Sequence, residues 1–254
     1  MTEVIRNIDE WRKLRLSEFF CDKNIGFVPT MGALHEGHVS LIRKSWEEND
    51  ITVVSIFVNP TQFNDLDDFK NYPNTFEEDL KILNDESVDY LFYPDYYSLY
   101  PDDYKYKLEE TKYSKMLCGA NRPGHFDGVL TVVMKLFNIV RPVNAYFGEK
   151  DYQQLKLIEG MVNAFFLNVR IIPCPTVRTE SGLALSSRNK RLTEDEKNIA
   201  VEFPRLLRQK MKIEEIKKQL EEKGFRVDYI TEIDDRRFGA VYLGNVRLID
   251  NVEI

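Results

Sequence analysis

Cysteine is scarce in this 254-residue chain, with only Cys21, Cys118 and Cys174 present. An odd number of widely spaced thiols fits neither a disulfide framework nor a CxxC metal site, and suits a reducing compartment. Long apolar runs are missing as well. No stretch reaches the roughly 18 uninterrupted apolar residues that a membrane span needs. The N-terminal segment MTEVIRNIDEWRKLRL carries charge throughout and has no apolar h-region, so no signal peptide and a cytoplasmic location are expected. An excess of positive charge is also lacking: 35 Lys and Arg face 42 Asp and Glu, for a net charge of −7. That balance argues against a nucleic-acid partner, although a local basic pocket for phosphate remains compatible with it. Internal repeats and low-complexity tracts are absent. What is present is 43% apolar residues, enough to bury a core and too many for a disordered chain.

The first 175 residues alternate strand-like and helix-like segments. Residues 24–30 (NIGFVPT) read as a short buried strand and 37–49 as a helix with Val39, Leu41, Ile42 and Trp46 on its apolar side. Residues 51–58 (ITVVSIFV) are β-branched and nearly continuous, the pattern of a parallel strand covered on both faces. Thr75 and Glu78 have the spacing of a capping box. Strands are expected at 88–93, 144–147 and 169–172, and helices at 129–140 and 151–166. This alternation implies a Rossmann-like α/β fold with a mostly parallel sheet. After about Thr176 the character changes. Thr193 and Glu196 form a second capping box, Pro204 separates two charged helical stretches, and Gly224 ends a Lys/Glu-rich helix. The alternation in FRVDYITEI and AVYLGNVRLI suggests a small antiparallel sheet. The expected division is therefore residues 1–176 as the Rossmann-like domain and 177–254 as a second, smaller α+β domain.

The most informative segment is PTMGALHEGH, Pro29 to His38. It follows a strand and opens a helix. Gly32 and Gly37 allow a tight turn and close backbone approach to a ligand, and the helix N-terminus offers unpaired N–H groups to an anion. His35 and His38, three apart, can face one bound group. The HEGH spacing is not the HExxH of a zinc metalloprotease, and His125 is the sole remaining histidine. Neither a Walker A loop nor GxGxxG is present. Two further segments point to phosphate. GEKD (148–151) lies just past a strand end and opens a helix, where open α/β sheets bind ligands. LSSR (185–188) puts two hydroxyls and a guanidinium in a loop, a suitable anion clamp.

Taken in order, these motifs resemble the nucleotidyltransferase superfamily, with HEGH standing for the HIGH signature and SSRN for the KMSKS-type loop. PTMGALHEGH, FVNPTQF, RPGHFDGVLTVVMKLFNIVRP, FGEKDYQQL and LALSSRN together resemble the pantothenate synthetase (pantoate–β-alanine ligase) family over nearly all of residues 20–195. The likeness continues weakly to RLIDN near residue 250.

That resemblance implies a ligase that condenses pantoate with β-alanine, using ATP and Mg2+, through a pantoyl adenylate, and releases AMP and pyrophosphate. It implies a homodimer without nucleic-acid or membrane partners, and a C-terminal domain acting as a lid. In the ATP site it places Met31, Gly32, Ala33, Leu34, His35, Glu36, Gly37 and His38, then Gly148, Glu149, Lys150 and Asp151, then Val177, Leu185, Ser186, Ser187 and Arg188. His38, His35, Lys150 and Arg188 carry catalysis, with His38 the proton donor. Gln62 and Gln154 hold pantoate, Gln62 also lies near β-alanine, and Asn59 orients that pocket. Arg122 and His125 fall at its rim, and Asp79 near magnesium. A carboxylate needs no base to attack a phosphate, so positioning and charge stabilisation suffice. A plain nucleotidyltransferase is disfavoured by the second-substrate pocket around FVNPTQF, and a catalytically silent nucleotide-binding protein by the presence of His38, Lys150 and Arg188. The chain departs from the family where YPRT becomes Tyr72-Pro73-Asn74-Thr75, losing a positive charge, and in a short C-terminal region.

Overall fold

The computed structural model describes residues 1–254, with the side chain of Leu66 outside the description. The chain divides into two compact units. One holds Met1–Leu34, His38–Gly148 and Gln153–Cys174; the other holds His35–Gly37, Glu149–Tyr152 and Pro175–Ile254.

The first unit is built on six parallel strands: β1 (Glu3–Ile5), β2 (Ile25–Thr30), β3 (Ile51–Ile56), β4 (Tyr90–Phe92), β5 (Asn144–Gly148) and β6 (Arg170–Cys174). Their order in the sheet is β1-β4-β3-β2-β5-β6. The helices of this part of the chain are α1 (Ile8–Arg15), α2 (Glu36–Glu48), α3 (Leu66–Lys70), α4 (Phe76–Asp85), α5 (Tyr96–Leu99), α6 (His125–Val140) and α7 (Tyr152–Ala164). Every residue of β3 is buried, as its unbroken apolar run requires of a central parallel strand. Phe27 and Val28, adjacent on β2, point to opposite faces. Val28 packs in a cluster with Leu41 and Ile42 of α2 and Leu83 of α4. Phe27 meets Phe137 of α6 edge-on, at 6.4 Å between ring centres. Helices therefore cover both faces, and the Rossmann-like α/β expectation is met.

Four elements escape the sequence reading: the short helices α3 and α5, and the N-terminal β1 and α1. The strand β1 pairs with β4 at Glu3, Val4 and Ile5. The helix α1 is capped by Asn7, whose side chain accepts from the N–H groups of Asp9 and Glu10. Its Trp11 is fully buried, packs against Phe20, Tyr90 and Phe92, and donates from Nε1 to the Ile139 carbonyl at 3.0 Å.

The second unit carries α8 (Glu194–Ala200), α9 (Glu202–Leu207), α10 (Ile213–Glu222) and the antiparallel strands β7 (Arg226–Ile233), β8 (Arg236–Leu243) and β9 (Val246–Glu253). Phe203, Leu207, Ile216, Leu220 and Val241 form part of its core. The Thr193–Glu196 capping box is present in both directions. Two local expectations need correction. The helix break falls at Val201, and Pro204 sits in the first turn of α9, where its missing N–H removes no helical hydrogen bond. Thr75 precedes α4 but makes no side-chain cap; its hydroxyl donates to Asp79 Oδ2 instead, at 3.1 Å. Among the described residues no helix is long and apolar enough to cross a membrane.

Replacing Trp11 by Ala is expected to destabilise the protein by about 3–5 kcal/mol through the cavity left behind, and Trp11→Phe by less. Urea unfolding, with an unchanged slope and a lowered midpoint, checks this.

Candidate active site

In the sheet, β2 and β5 are neighbours, and the strand order runs outward from them in opposite directions. Their carboxyl ends mark the switch point where open α/β sheets bind ligands. After β2 the chain makes two successive left-handed residues, Gly32 at φ +80° and Ala33 at φ +52°. Ala33 is strained there, since a non-glycine side chain pays about 1–2 kcal/mol for that region. The buried carboxylate of Asp79 holds the turn. Its Oδ2 accepts from Ala33 N–H at 2.9 Å and its Oδ1 from Leu34 N–H at 2.7 Å. A Cβ at residue 32 would lie 2.9 Å from Asp79 Oδ2, so glycine is needed for space as well as for φ. Asp79, expected near magnesium, is thus committed to the backbone of the loop.

Beyond β3, Asn59 starts a short turn and is almost wholly buried, at 1% exposed. Its Oδ1 accepts from the Thr61 hydroxyl at 2.9 Å and from the Tyr100 hydroxyl at 3.0 Å. Burial pushes the Tyr100 phenol above its ordinary pKa, so it stays a donor. The Asn59 amide nitrogen donates to Gln62 Oε1 at 3.0 Å and to the Gly128 carbonyl at 3.2 Å. Gln62 Nε2 in turn points at Met31 Sδ, 3.0 Å away. The Gln62 carbonyl accepts from His125 Nδ1 at 2.7 Å and from Arg122 at 3.3 Å, while His125 Nε2 lies 3.1 Å from Arg122. This pattern assigns His125 the neutral tautomer with the proton on Nδ1. Gly128 is required by close approach: a Cβ there would sit 2.4 Å from the Thr61 carbonyl oxygen. Asn59, Gln62, Met31, Arg122 and His125 are therefore brought together. Gln154, on α7, is half-buried. Its neighbour Gln153 has a structural task, accepting from Cys118 N–H and donating to the Tyr113 and Met116 carbonyls.

The helix α2 begins at Glu36, so Gly37 and His38 lie in its first turn. In the second unit, His35 Nδ1 accepts from Gly37 N–H at 3.1 Å, doing the work of an N-cap. A Cβ on Gly37 would meet the imidazole at 2.8 Å. Burial first, then the charges of Lys150 and Lys190, hold the His35 pKa down at about 4, against a smaller opposing effect of Asp151. The ring is neutral at pH 7, with Nδ1 occupied as acceptor and the proton on Nε2. Two lysine charges acting on this helix start give the positive potential that an anion needs.

Lys150 reaches Asp151 Oδ2 at 3.6 Å with its side chain 18% exposed. The backbone of its turn is held by Asn251 of β9, whose Nδ2 donates to the carbonyls of Glu149 at 2.9 Å and Lys150 at 3.0 Å. The preceding residue, Asp250, binds Arg178 through both oxygens at 2.6 and 2.8 Å. Arg178 also donates to the Gly182 carbonyl. Leu185 N–H bonds to the Val177 carbonyl at 3.0 Å. Ser186 caps the following short turn through Arg188 N–H, and Ser187 is buried within that turn. The second unit thus assembles His35, Glu36, Gly37, Glu149, Lys150, Asp151, Val177 and residues 185–188; Gly148 ends β5 in the first. Asp250 and Asn251, which lie in RLIDN, and Arg178 are not singled out by the sequence motifs. Asn74 is exposed.

The family profile described as pantoate-beta-alanine ligase matches residues 3–253. The pantothenate synthetase of Bdellovibrio bacteriovorus is 53% identical over 254 residues, covering all of both chains. That of Legionella pneumophila strain Lens is 51% identical, with 98% of each chain covered. Among solved structures, a pantoate-beta-alanine ligase from Francisella tularensis, complexed with beta-gamma ATP and beta-alanine, superposes with a TM-score of 0.95 at 47% identity, covering 100% of this chain and 98% of that one. Pantothenate synthetase from Thermus thermophilus gives a TM-score of 0.89 at 37% identity, with 99% of each chain covered.

His35 is expected to titrate near pH 4, well below the ordinary 6.5 of a histidine, so its ring stays neutral at pH 5.5. Following its imidazole carbon–proton signals by NMR from pH 3.5 to 8 measures this; a midpoint near 6.5 contradicts the burial and lysine fields described.

Proposed function

The chain belongs to the pantoate-beta-alanine ligase family, and on that premise we propose how its residues carry the reaction. The enzyme joins pantoate to β-alanine at the expense of ATP, giving pantothenate. The first step forms a bond from a pantoate carboxylate oxygen to the α-phosphorus of ATP and breaks the α–β phosphoanhydride, releasing pyrophosphate. In the second, the neutral amine of β-alanine attacks the acyl carbon of the pantoyl adenylate. AMP leaves with the bonding pair, and the amine gives up a proton to water.

The observation that carries this reading is the His35 helix start in the field of Lys150 and Lys190. An incoming triphosphate meets a neutral ring with its proton on Nε2, opposite the capping nitrogen, plus the separate positive charges of Lys150 and Lys190. Charge developing on the phosphoryl oxygens is then met by Lys150 and Arg188, while the α2 N-terminus and His38 in its first turn donate hydrogen bonds. Met31 to Leu34 shape the loop that receives the nucleotide. Gly148 to Asp151, Val177 and Leu185 to Ser187 complete the nucleotide contacts.

Gln62 and Gln154 are assigned to pantoate, whose hydroxyls need donors and acceptors together. Asn59 is a positioning residue: both ends of its amide are committed within the protein, and it fixes which end of Gln62 is presented. Arg122 and His125 hold the Gln62 backbone from the other side.

Mg2+ belongs with the triphosphate. Among the described residues no group of three or more His, Cys, Asp or Glu is placed to hold a metal, and Asp79 is occupied by backbone N–H groups. The ion is therefore assigned to phosphate oxygens, where it offsets their charge, and no protein step runs through it. Family membership also supports a cytoplasmic homodimer.

AMP and pyrophosphate release from ATP in magnesium tests the reaction. Turnover is expected only with both acids present, one AMP per pantothenate, and pyrophosphate without AMP when pantoate alone is added. His38→Ala is expected to slow single-turnover adenylation by about 10²–10³-fold, the cost of one preorganised donor, with pantoate affinity little changed. Adenylation at the wild-type rate in a folded His38→Ala protein overturns that role.

A further inference from the structure

The ligase reading uses Lys150 but does not say what aims it. The lysine lies in the turn of residues 149–151, and a turn this short has few internal hydrogen bonds to fix its direction. Two of its carbonyls, those of Glu149 and Lys150, accept from one amide nitrogen, Nδ2 of Asn251. Both N–H groups of that nitrogen are used, one on each carbonyl, so the turn is gripped at two successive peptide units. Asn251 itself is 5% exposed, within β9.

An asparagine amide can rotate by half a turn and present its oxygen instead, which would set three oxygens against one another. Here Arg236 removes that freedom. Its guanidinium donates to Asn251 Oδ1 at 2.6 Å and lies 4.1 Å over the ring of Tyr152, one residue past the turn. The oxygen is claimed by the cation, so the nitrogen must face the carbonyls. Arg236, Asn251 and the turn form a chain of contacts that ends at Lys150.

We propose that Asn251, oriented by Arg236, is a positioning residue of the adenylation step, acting by holding the 149–151 turn so that the Lys150 ammonium is aimed at the reacting phosphate. This rests on the assignment of Lys150 to the transition-state charge. Displacement of a catalytic group by about 1 Å can cost on the order of 10²-fold in rate, so a residue that never meets the substrate can have a large effect on kcat. Residue Asp250, adjacent on β9, has the separate task of binding Arg178, which leaves the turn to Asn251.

The test uses Asn251→Asp in the full-length enzyme. The change keeps the shape and strengthens the pairing with Arg236, but turns both donors into an acceptor facing two carbonyls. Single-turnover adenylation is expected to fall by about 10–100-fold, with the KM for pantoate unchanged and the melting temperature measured alongside. Arg236→Lys, which loses the fork but keeps the charge, is expected to show a smaller loss of the same kind; it also serves as the test if Asn251→Asp does not fold. The deciding comparison is with Lys150→Ala. If Asn251 acts through Lys150, adding Asn251→Asp (or Arg236→Lys) to Lys150→Ala slows adenylation no further. Losses that multiply overturn the positioning role and leave the Lys150 assignment standing. A fall in melting temperature with an unchanged rate per folded molecule overturns it too. Adenylation at the full rate in Lys150→Ala overturns the Lys150 assignment, and the positioning role with it.

Discussion

The buried carboxylate of Asp79 is the constraint on which the loop between β2 and α2 rests. It meets two consecutive backbone N–H groups of a loop that turns through two left-handed residues. Without those bonds the strained Ala33 would relax, and the N–H groups would be left buried and unpaired, each costing about 1–3 kcal/mol. The demand reaches outward. Thr75 gives its hydroxyl to the same carboxylate and forgoes its helix cap, and residue 32 has room only for glycine. The loop in turn sets where β2 hands over to α2. Met31, at its start, touches the amide of Gln62.

The groups proposed to take part in the reaction divide by charge. Histidines are present at the helix start and beside Gln62, yet the geometry makes His35 and His125 neutral hydrogen-bonding groups, each with one nitrogen accepting. Positive charge is left to Lys150, Lys190 and Arg188. For adenylation this division is apt: a cation has to persist across the working pH range, whereas a neutral imidazole offers a directed donor without adding a titration near pH 6.5.

What was legible in the sequence is what depends on near neighbours along the chain. ITVVSIFV reads as a buried strand because its pattern is local, although the strand itself stops at Ile56. The Thr193–Glu196 box forms because its two partners are three residues apart and nothing else competes for them. HEGH, GEKD and LSSR were visible as turn-and-charge motifs at element ends, and the Rossmann-like sheet followed from the alternation. The losses are of another kind. The strand β1 has three residues and no periodicity to read, and α1 shows a single buried Trp among charges. Thr75 carries a correct local signal that a distant demand from the loop at residue 33 overrides. Asn251 was invisible because its partners lie 101 and 102 residues back. An asparagine in an alternating strand reads as an outward polar position until those carbonyls are known.

That long reach has a consequence for modularity. The second unit is assembled from three stretches of chain, and the two short ones, 35–37 and 149–152, are inserts within the first. A fragment of residues 175–254 would keep Phe203, Leu207 and Val241 in a core, yet it would lose the Tyr152 ring beneath Arg236 and both acceptors of the Asn251 amide. No single cut in the polypeptide yields this unit whole. It cannot be shuffled as a cassette, and a graft of it would have to carry along two pieces of the parallel-sheet unit's own crossovers.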